Sequence, residues 1–234
     1  MPGGLSIVKA GNNSFEFLDR QLNFYINLRS SRNPLHYTFM ALAVLMMIVG
    51  LLYYRQTKPH QKSWLDFIIL STLSMPLVFL FLGFTSYRSL PLTILISLLA
   101  SFVIAYLLKQ LPQTDKRLLL LTAVTAILII FDCFHGSVWM LASPLGSDTI
   151  AGGRFYGLGN DYMGVLLAAT VIATVFFIEK LKIKPLWKGL LGLFPLGLMT
   201  IAIGHPSFGA DVGGLITSLV TMGLYFITIS GTRF

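Results

Sequence analysis

The sequence predicts an all-α, polytopic transmembrane helix bundle of about seven spans, with the N-terminus outside and the C-terminus inside. Three observations carry this. The chain is 55% hydrophobic and only 11% charged over 234 residues, whereas soluble domains carry roughly twice that charged share. Its mean hydropathy is +0.78. Its apolar runs approach the ~20 residues that a bilayer crossing requires. The formal net charge of +8 would suggest nucleic acid in a soluble protein. Here most Lys and Arg fall in short loops between apolar runs, which the positive-inside rule explains, so no nucleic-acid partner is expected.

The tail comes first, and the chain divides into an extracytoplasmic tail, 1–34, and a transmembrane helical domain, 35–234. Residues 1–34 lack the apolar core of a cleavable signal peptide. Phe15, Leu18, Leu22 and Ile26 recur at helical spacing, and Asn13 with Glu16 resembles a capping box. That pattern predicts a short amphipathic helix lying on the outer membrane surface, or else a connector packed on the spans. Lys9, Arg20, Arg29 and Arg32 against Glu16 and Asp19 leave the tail cationic and awkward to translocate alone. The expectation is a longer protein whose upstream segment is exported first; the ending at Thr232-Arg233-Phe234, at the close of a span, fits it.

The apolar runs follow at about 35–54, 64–84, 90–108, 118–134, 162–178, 188–204 and 212–230. The fourth and fifth are short, so their ends are expected to reach into the polar loop between them. Pro76 is expected to kink the second span, Asp66 to lie at its inner interface, and Tyr53, Tyr54, Trp139 and Trp187 to form aromatic belts. Between spans, ten basic residues fall on one side (Arg55, Lys58, Lys62, Lys109, Lys116, Arg117, Lys180, Lys182, Lys184, Lys188) and two on the other (Arg88, Arg154). The basic loops are therefore placed in the cytoplasm. The lone Cys133 has no internal disulfide partner.

That orientation gathers three polar, glycine-bearing patches on the outer face: Asp132–His135, Ser143–Asp161 and Gly204–Asp211. Polar groups beside lipid are costly unless they have water, a partner or a task. In the first patch Asp132 and His135 are three apart, which would put them on one helical face as a metal half-site or an oriented base; a solvated helix end is the plainer account. In the second, Ser143-Pro144-Leu145-Gly146 reads as a turn, with Gly allowing positive φ, and Asp148 follows. Gly152, Gly153, Gly157 and Gly159 leave backbone N–H groups uncovered, which suits an anion such as phosphate. Arg154 would hold the same group with its planar fork, and Asn160 would line it. No Gly-Lys-Ser/Thr ending follows, so a nucleotide loop is not expected. Equally, Gly153-x-x-x-Gly157 would let two helices pack closely, and Asp161 would favour the start of the fifth span. In the third patch His205 precedes Pro206 in a turn, Gly209-x-x-x-Gly213 offers close packing, and Asp211 stands near a helix start as ligand, base or cap.

The stretch Arg154-Phe155-Tyr156-Gly157-Leu158-Gly159-Asn160-Asp161, followed by Gly209-Ala210-Asp211-Val212-Gly213-Gly214, resembles a group of bacterial polytopic membrane proteins. These carry an Arg-Phe/Tyr-Tyr-Gly-x-Gly-Asn-Asp/Glu motif before one span and a Gly-Ala-Asp-x-Gly-Gly motif before a later one. The resemblance covers the C-terminal third at motif level and the earlier spans only in general character. It implies a multi-pass protein of the bacterial cell membrane. Some members resemble fusions with an upstream alkaline-phosphatase-like domain, which would suit an exported N-terminus. It implies no particular activity.

The leading expectation is an extracytoplasmic-face site for a phosphate-bearing or lipid-linked envelope substrate. Arg154, Gly157, Gly159 and Asn160 would bind it, Asp161, Asp211 and His205 would act as acid–base groups, and Asp132 with His135 would hold a divalent cation. Two alternatives stand beside it. A transporter or channel would use outer carboxylates as gates, although the span middles hold almost no ionisable residues and no inverted repeat is visible. A membrane anchor or scaffold for an upstream extracytoplasmic domain would use the same glycines and aspartates for packing and capping.

Overall fold

The computed structural model describes residues 19, 23, 26, 30, 32–45, 48, 49, 59–82, 90–147 and 157–231. All regular structure among them is helical. Helix α1 covers 32–45. It is followed by α2 (Pro59–Leu82), α3 (Leu90–Lys109), α4 (Thr114–Phe134), the single turn α5 (Val138–Leu141), α6 (Asn160–Glu179), α7 (Pro185–Gly204) and α8 (Val212–Ser230). Among the described residues, six segments are long and apolar enough to span a bilayer: Trp64–Leu82, α3, α4, α6, α7 and α8. The protein is thus a multi-pass helical membrane protein. The first expected span is helical at 32–45, 48 and 49; its remainder lies outside the described residues. So does most of the tail, where Asn23 donates to the Asp19 carboxylate at 3.1 Å along one helical turn.

The fourth span differs from its expected bounds. It gains length at its N-terminal end, from Thr114, and not toward the polar loop that follows it. Polar Thr114-Asp115-Lys116-Arg117 continues the helix because Lys and Arg stems can lie along apolar surface while their charges stay in water. The fifth span does reach into the polar loop, by two residues, to Asn160.

The bundle is patterned for lipid. On α3 Thr93, Ser97, Ser101 and Ala105, four apart, turn inward together with Leu108, while Leu95, Leu99, Phe102 and Val103 face out. Lipid competes with the interior for large apolar side chains, so small residues that let backbones approach are what helix contacts select. Their hydroxyls are satisfied within the helix, as in Ser97 to the Thr93 carbonyl at 2.7 Å and Thr170 to the Leu166 carbonyl at 2.7 Å. Ser74 Oγ also lies 3.3 Å from the Ser101 carbonyl, joining α2 to α3.

The α7–α8 hairpin is built on glycine. A Cβ at Gly192 would collide with the Tyr225 ring and hydroxyl, one at Gly204 with Leu215, and one at Gly214 with Ile203 and Met163. The Tyr225 hydroxyl donates to the Lys188 carbonyl at 3.1 Å. Two bundle ends result. At one, Arg117 Nη1 lies 3.7 Å from Asp66 Oδ2, and Lys109 Nζ sits over the Phe67 ring at 5.8 Å, among the basic loops. The described residues of the three polar patches occupy the other.

Candidate functional site

The polar end is assembled from the termini of α1, α4, α6, α7 and α8. Residues 148–156, with Asp148 and Arg154, lie outside the described residues. At the end of α4, Asp132 is 1% exposed. Its carboxylate accepts the Trp139 N–H at 3.0 Å and the Met140 N–H at 2.8 Å. It thereby satisfies the otherwise orphaned donors at the start of α5. Beside it, His135 is already past the helix end and exposed; its Nδ1 lies 2.7 Å from the Phe131 carbonyl and its ring stacks on Phe131 at 4.0 Å. His135 is the C-cap of α4, and the chain then turns through Gly136 and Ser137, both at positive φ. Both Asp132 oxygens serve α5.

After α5 the chain makes the expected turn, with Gly146 N–H donating to the Ser143 carbonyl at 3.0 Å. Gly146 is needed there for space and not for positive φ, because a Cβ would strike the Met140 carbonyl. The Ser143 hydroxyl meets the buried Tyr162 hydroxyl at 2.5 Å, and Tyr162 also donates to the Pro76 carbonyl at 3.3 Å. Gly159 passes so close to Ser147 that a Cβ would sit 2.6 Å from its hydroxyl.

The two motifs that carry the resemblance touch. Leu158 N–H donates to the Gly209 carbonyl at 3.0 Å. Gly157, at φ 85°, passes over the same carbonyl, where a Cβ would stand 2.5 Å away. Gly209 in turn lies on the last turn of α7, and its N–H donates to the Ala202 carbonyl at 2.8 Å. Asp211 N–H donates to the Ile203 carbonyl at 3.0 Å, so the loop caps the C-terminal carbonyls of α7. Ala210 between them takes φ 52°. Asp211 Oδ1 then accepts the Gly214 N–H at 2.8 Å as the N-cap of α8. The close-packing pair is Gly209 with Gly214; Gly213 meets only the Asp211 carboxylate, at 3.5 Å. Phe134 and Phe208 join the first and third patches with ring centroids 4.6 Å apart.

Asp161 is not the cap of α6, because the N-cap is Gly159. It occupies the first turn, where a carboxylate suits the helix dipole. Its side chain is 48% exposed, and Oδ2 lies 3.6 Å from His36 Nδ1. Asn160 is exposed beside it. His205 is exposed at the end of α7, where its Nδ1 accepts the Ser207 N–H at 3.2 Å.

Two participants were not foreseen from sequence, and both belong to α1. His36 faces Asp161, and Arg32, 9% exposed, donates through Nη2 to the Leu141 and Ser143 carbonyls, each at 3.3 Å. A basic residue just before an apolar run reads as an interfacial anchor. Only the i, i+4 spacing of Arg32 and His36 hinted that both would face one neighbour.

The end as a whole presents Asp161, Asn160, His36 and His205 to water, and holds Asp132, Asp211 and Arg32 on buried backbone. Among the described residues no three of His, Cys, Asp and Glu come together as a cation cage. Comparison with protein-family models, curated proteins and solved structures finds no match.

Proposed function

We propose that the polar end is an extracytoplasmic site of a bacterial cell-membrane protein that binds a phosphate-bearing or lipid-linked envelope substrate. The observation that carries this is the docking of Gly157-Leu158 on Gly209, which makes one surface of two motifs about fifty residues apart. The start of α6 favours an anion there, and Arg154 in the same stretch supplies the cation to hold it. Asp161 and His205, both in reach of water, are the acid–base candidates; Asp211 positions the third loop. Asp132 and His135 do not enter the proposal as cation ligands, since each has another use in the fold. The test is saturable binding of a labelled polyprenyl phosphate to the protein in nanodiscs. Wild type is expected to bind, and Arg154→Ala to weaken binding by roughly tenfold, or ~1.4 kcal/mol, with its unfolding midpoint unchanged. Absence of saturable binding to wild type overturns the proposal.

One observation favours the scaffold reading. Asp132, Asp211 and Arg32 all direct polar atoms at backbone groups of helix ends and turns, as an anchor for an upstream extracytoplasmic domain would require. In that case Arg154→Ala leaves lipid binding at the level of empty nanodiscs throughout, and Asp211→Asn lowers the amount of folded protein.

A further inference from the structure

The one-turn helix α5 and the turn after it form a distinct unit within the polar end. Four residues are far too few for a helix stable on its own, so α5 depends on what holds its two ends. Its N-terminus rests on the Asp132 carboxylate at 2.8–3.0 Å. Its C-terminus rests on the Arg32 guanidinium, which reaches the Leu141 and Ser143 carbonyls at 3.3 Å. A buried anion at the start of a helical turn and a buried cation at its end compensate one another through the turn's own dipole. The two attachments are unequal. Charge-assisted N–H···O bonds ordinarily measure about 2.7–2.9 Å, so the Asp132 end is tight and the Arg32 end is loose. On the tight side stand Gly136 at φ 91° and Ser137 at φ 61°. The second is a conformation disfavoured for a non-glycine residue, of the kind that gathers in switch regions. Beneath the unit Cys133, 1% exposed, packs in one cluster with Met140 and Leu145.

We propose that residues 136–147 are a strap, hinged at Gly136–Ser137 and closed by Arg32, whose opening uncovers Asp132 and Cys133 to the water at the polar end. The input is α1. Arg32 lies on that helix, so any displacement of α1 relative to α4 withdraws the guanidinium from both carbonyls together. His36, one turn on, ties the same helix to Asp161 at 3.6 Å, so α1 bears on the strap and on α6 from a single face. This does not depend on what the polar end binds.

The chain supplies its own reporter, because Cys133 is its single cysteine. The full chain in nanodiscs is treated with a water-soluble maleimide. Wild type is expected to react slowly and Arg32→Gln about tenfold faster, as loss of a closing contact raises the open population. Arg117→Gln, which removes the ion pair at the opposite end, is expected to react at the wild-type rate. Equal rates for wild type and Arg32→Gln overturn the strap, and so does an equal acceleration by Arg117→Gln, which would mean general loosening. Hydrogen exchange on wild type needs no variant to fold. The amides of 137–143 are expected to exchange together, ahead of 121–133 and 162–178. Protection of the strap equal to that of α4 and α6 overturns it.

Discussion

Asp132 and Asp161 carry the same carboxylate in opposite circumstances. Asp132 is enclosed and receives two backbone N–H bonds; an amide in its place keeps one acceptor oxygen and sets an NH2 against a backbone donor. Hydrogen bonds to charged groups contribute about 1.5–3 kcal/mol, so Asp132→Asn is expected to lower the unfolding free energy by about 2 kcal/mol. Asp161 is half exposed, and an exposed ion pair contributes about 0–1 kcal/mol, so Asp161→Asn should shift the midpoint little. Denaturation of the two variants in one detergent checks the ordering, and equal losses would refute it. Gly157 and Ala210 make a second contrast on either side of the motif contact. Gly157→Ala puts a Cβ 2.5 Å from the Gly209 carbonyl at φ 85°, a clash added to a left-handed penalty of about 1–2 kcal/mol. Ala210→Gly removes that penalty at φ 52° and gives back roughly 0.4–1 kcal/mol to the unfolded chain, so it is expected to be neutral to slightly stabilising. Melting curves with opposite signs for the pair are the expected outcome.

Among the elements, α7 shows how one helix uses its glycines differently by face. Gly192 receives the Tyr225 ring, while nothing lies within 4 Å of a Cβ at Gly197. Gly192→Val should therefore force α7 and α8 apart, with the ~1–3 kcal/mol that overpacking usually costs. Gly197→Val should leave the unfolding midpoint within the ~0.5 kcal/mol typical of surface positions. A loss at Gly197 as large as at Gly192 would place α8 elsewhere. The existence of these helices was legible because lipid demands an unbroken apolar stretch from every span, and the sequence runs match α3, α6, α7 and α8 to within a few residues. What could not be read was the phase of each helix and the path of the chain after it. Asp132 gives its carboxylate oxygens to Trp139 and Met140 beyond the turn, a use that its spacing to His135 did not announce. The third patch was more legible, since Asp211 caps α8 through contacts three residues long. Local bonds leave local signatures. Arg32 finds its acceptors 109 and 111 residues away, and no spacing announces such a partner.

At the scale of the whole molecule, the site depends on a distribution of charge. The end that carries Lys109, Lys116, Arg117, Lys180, Lys182, Lys184 and Lys188 is the opposite of the end where Gly157, Gly209, Asp132 and Asp161 gather. The helix contacts make these the two ends of one bundle, and the positive-inside rule assigns the basic end to the cytoplasm. That assignment decides which molecules the polar end can meet: envelope precursors and exported domains if it faces out, cytoplasmic nucleotides and metabolites if it faces in. Two exposed positions separate the cases. Ser207 lies in the short loop between α7 and α8, and Lys182 in the basic loop between α6 and α7. With Cys133→Ala as background, Ser207→Cys is expected to react with a membrane-impermeant maleimide on intact cells. Lys182→Cys should react only after the membrane is opened. Labelling of Lys182→Cys alone on intact cells would invert the bundle. It would leave the glycine contact between the two motifs intact, yet remove the envelope substrate from its reach, because a phosphate group carried on the outer leaflet cannot approach a surface that faces the cytoplasm.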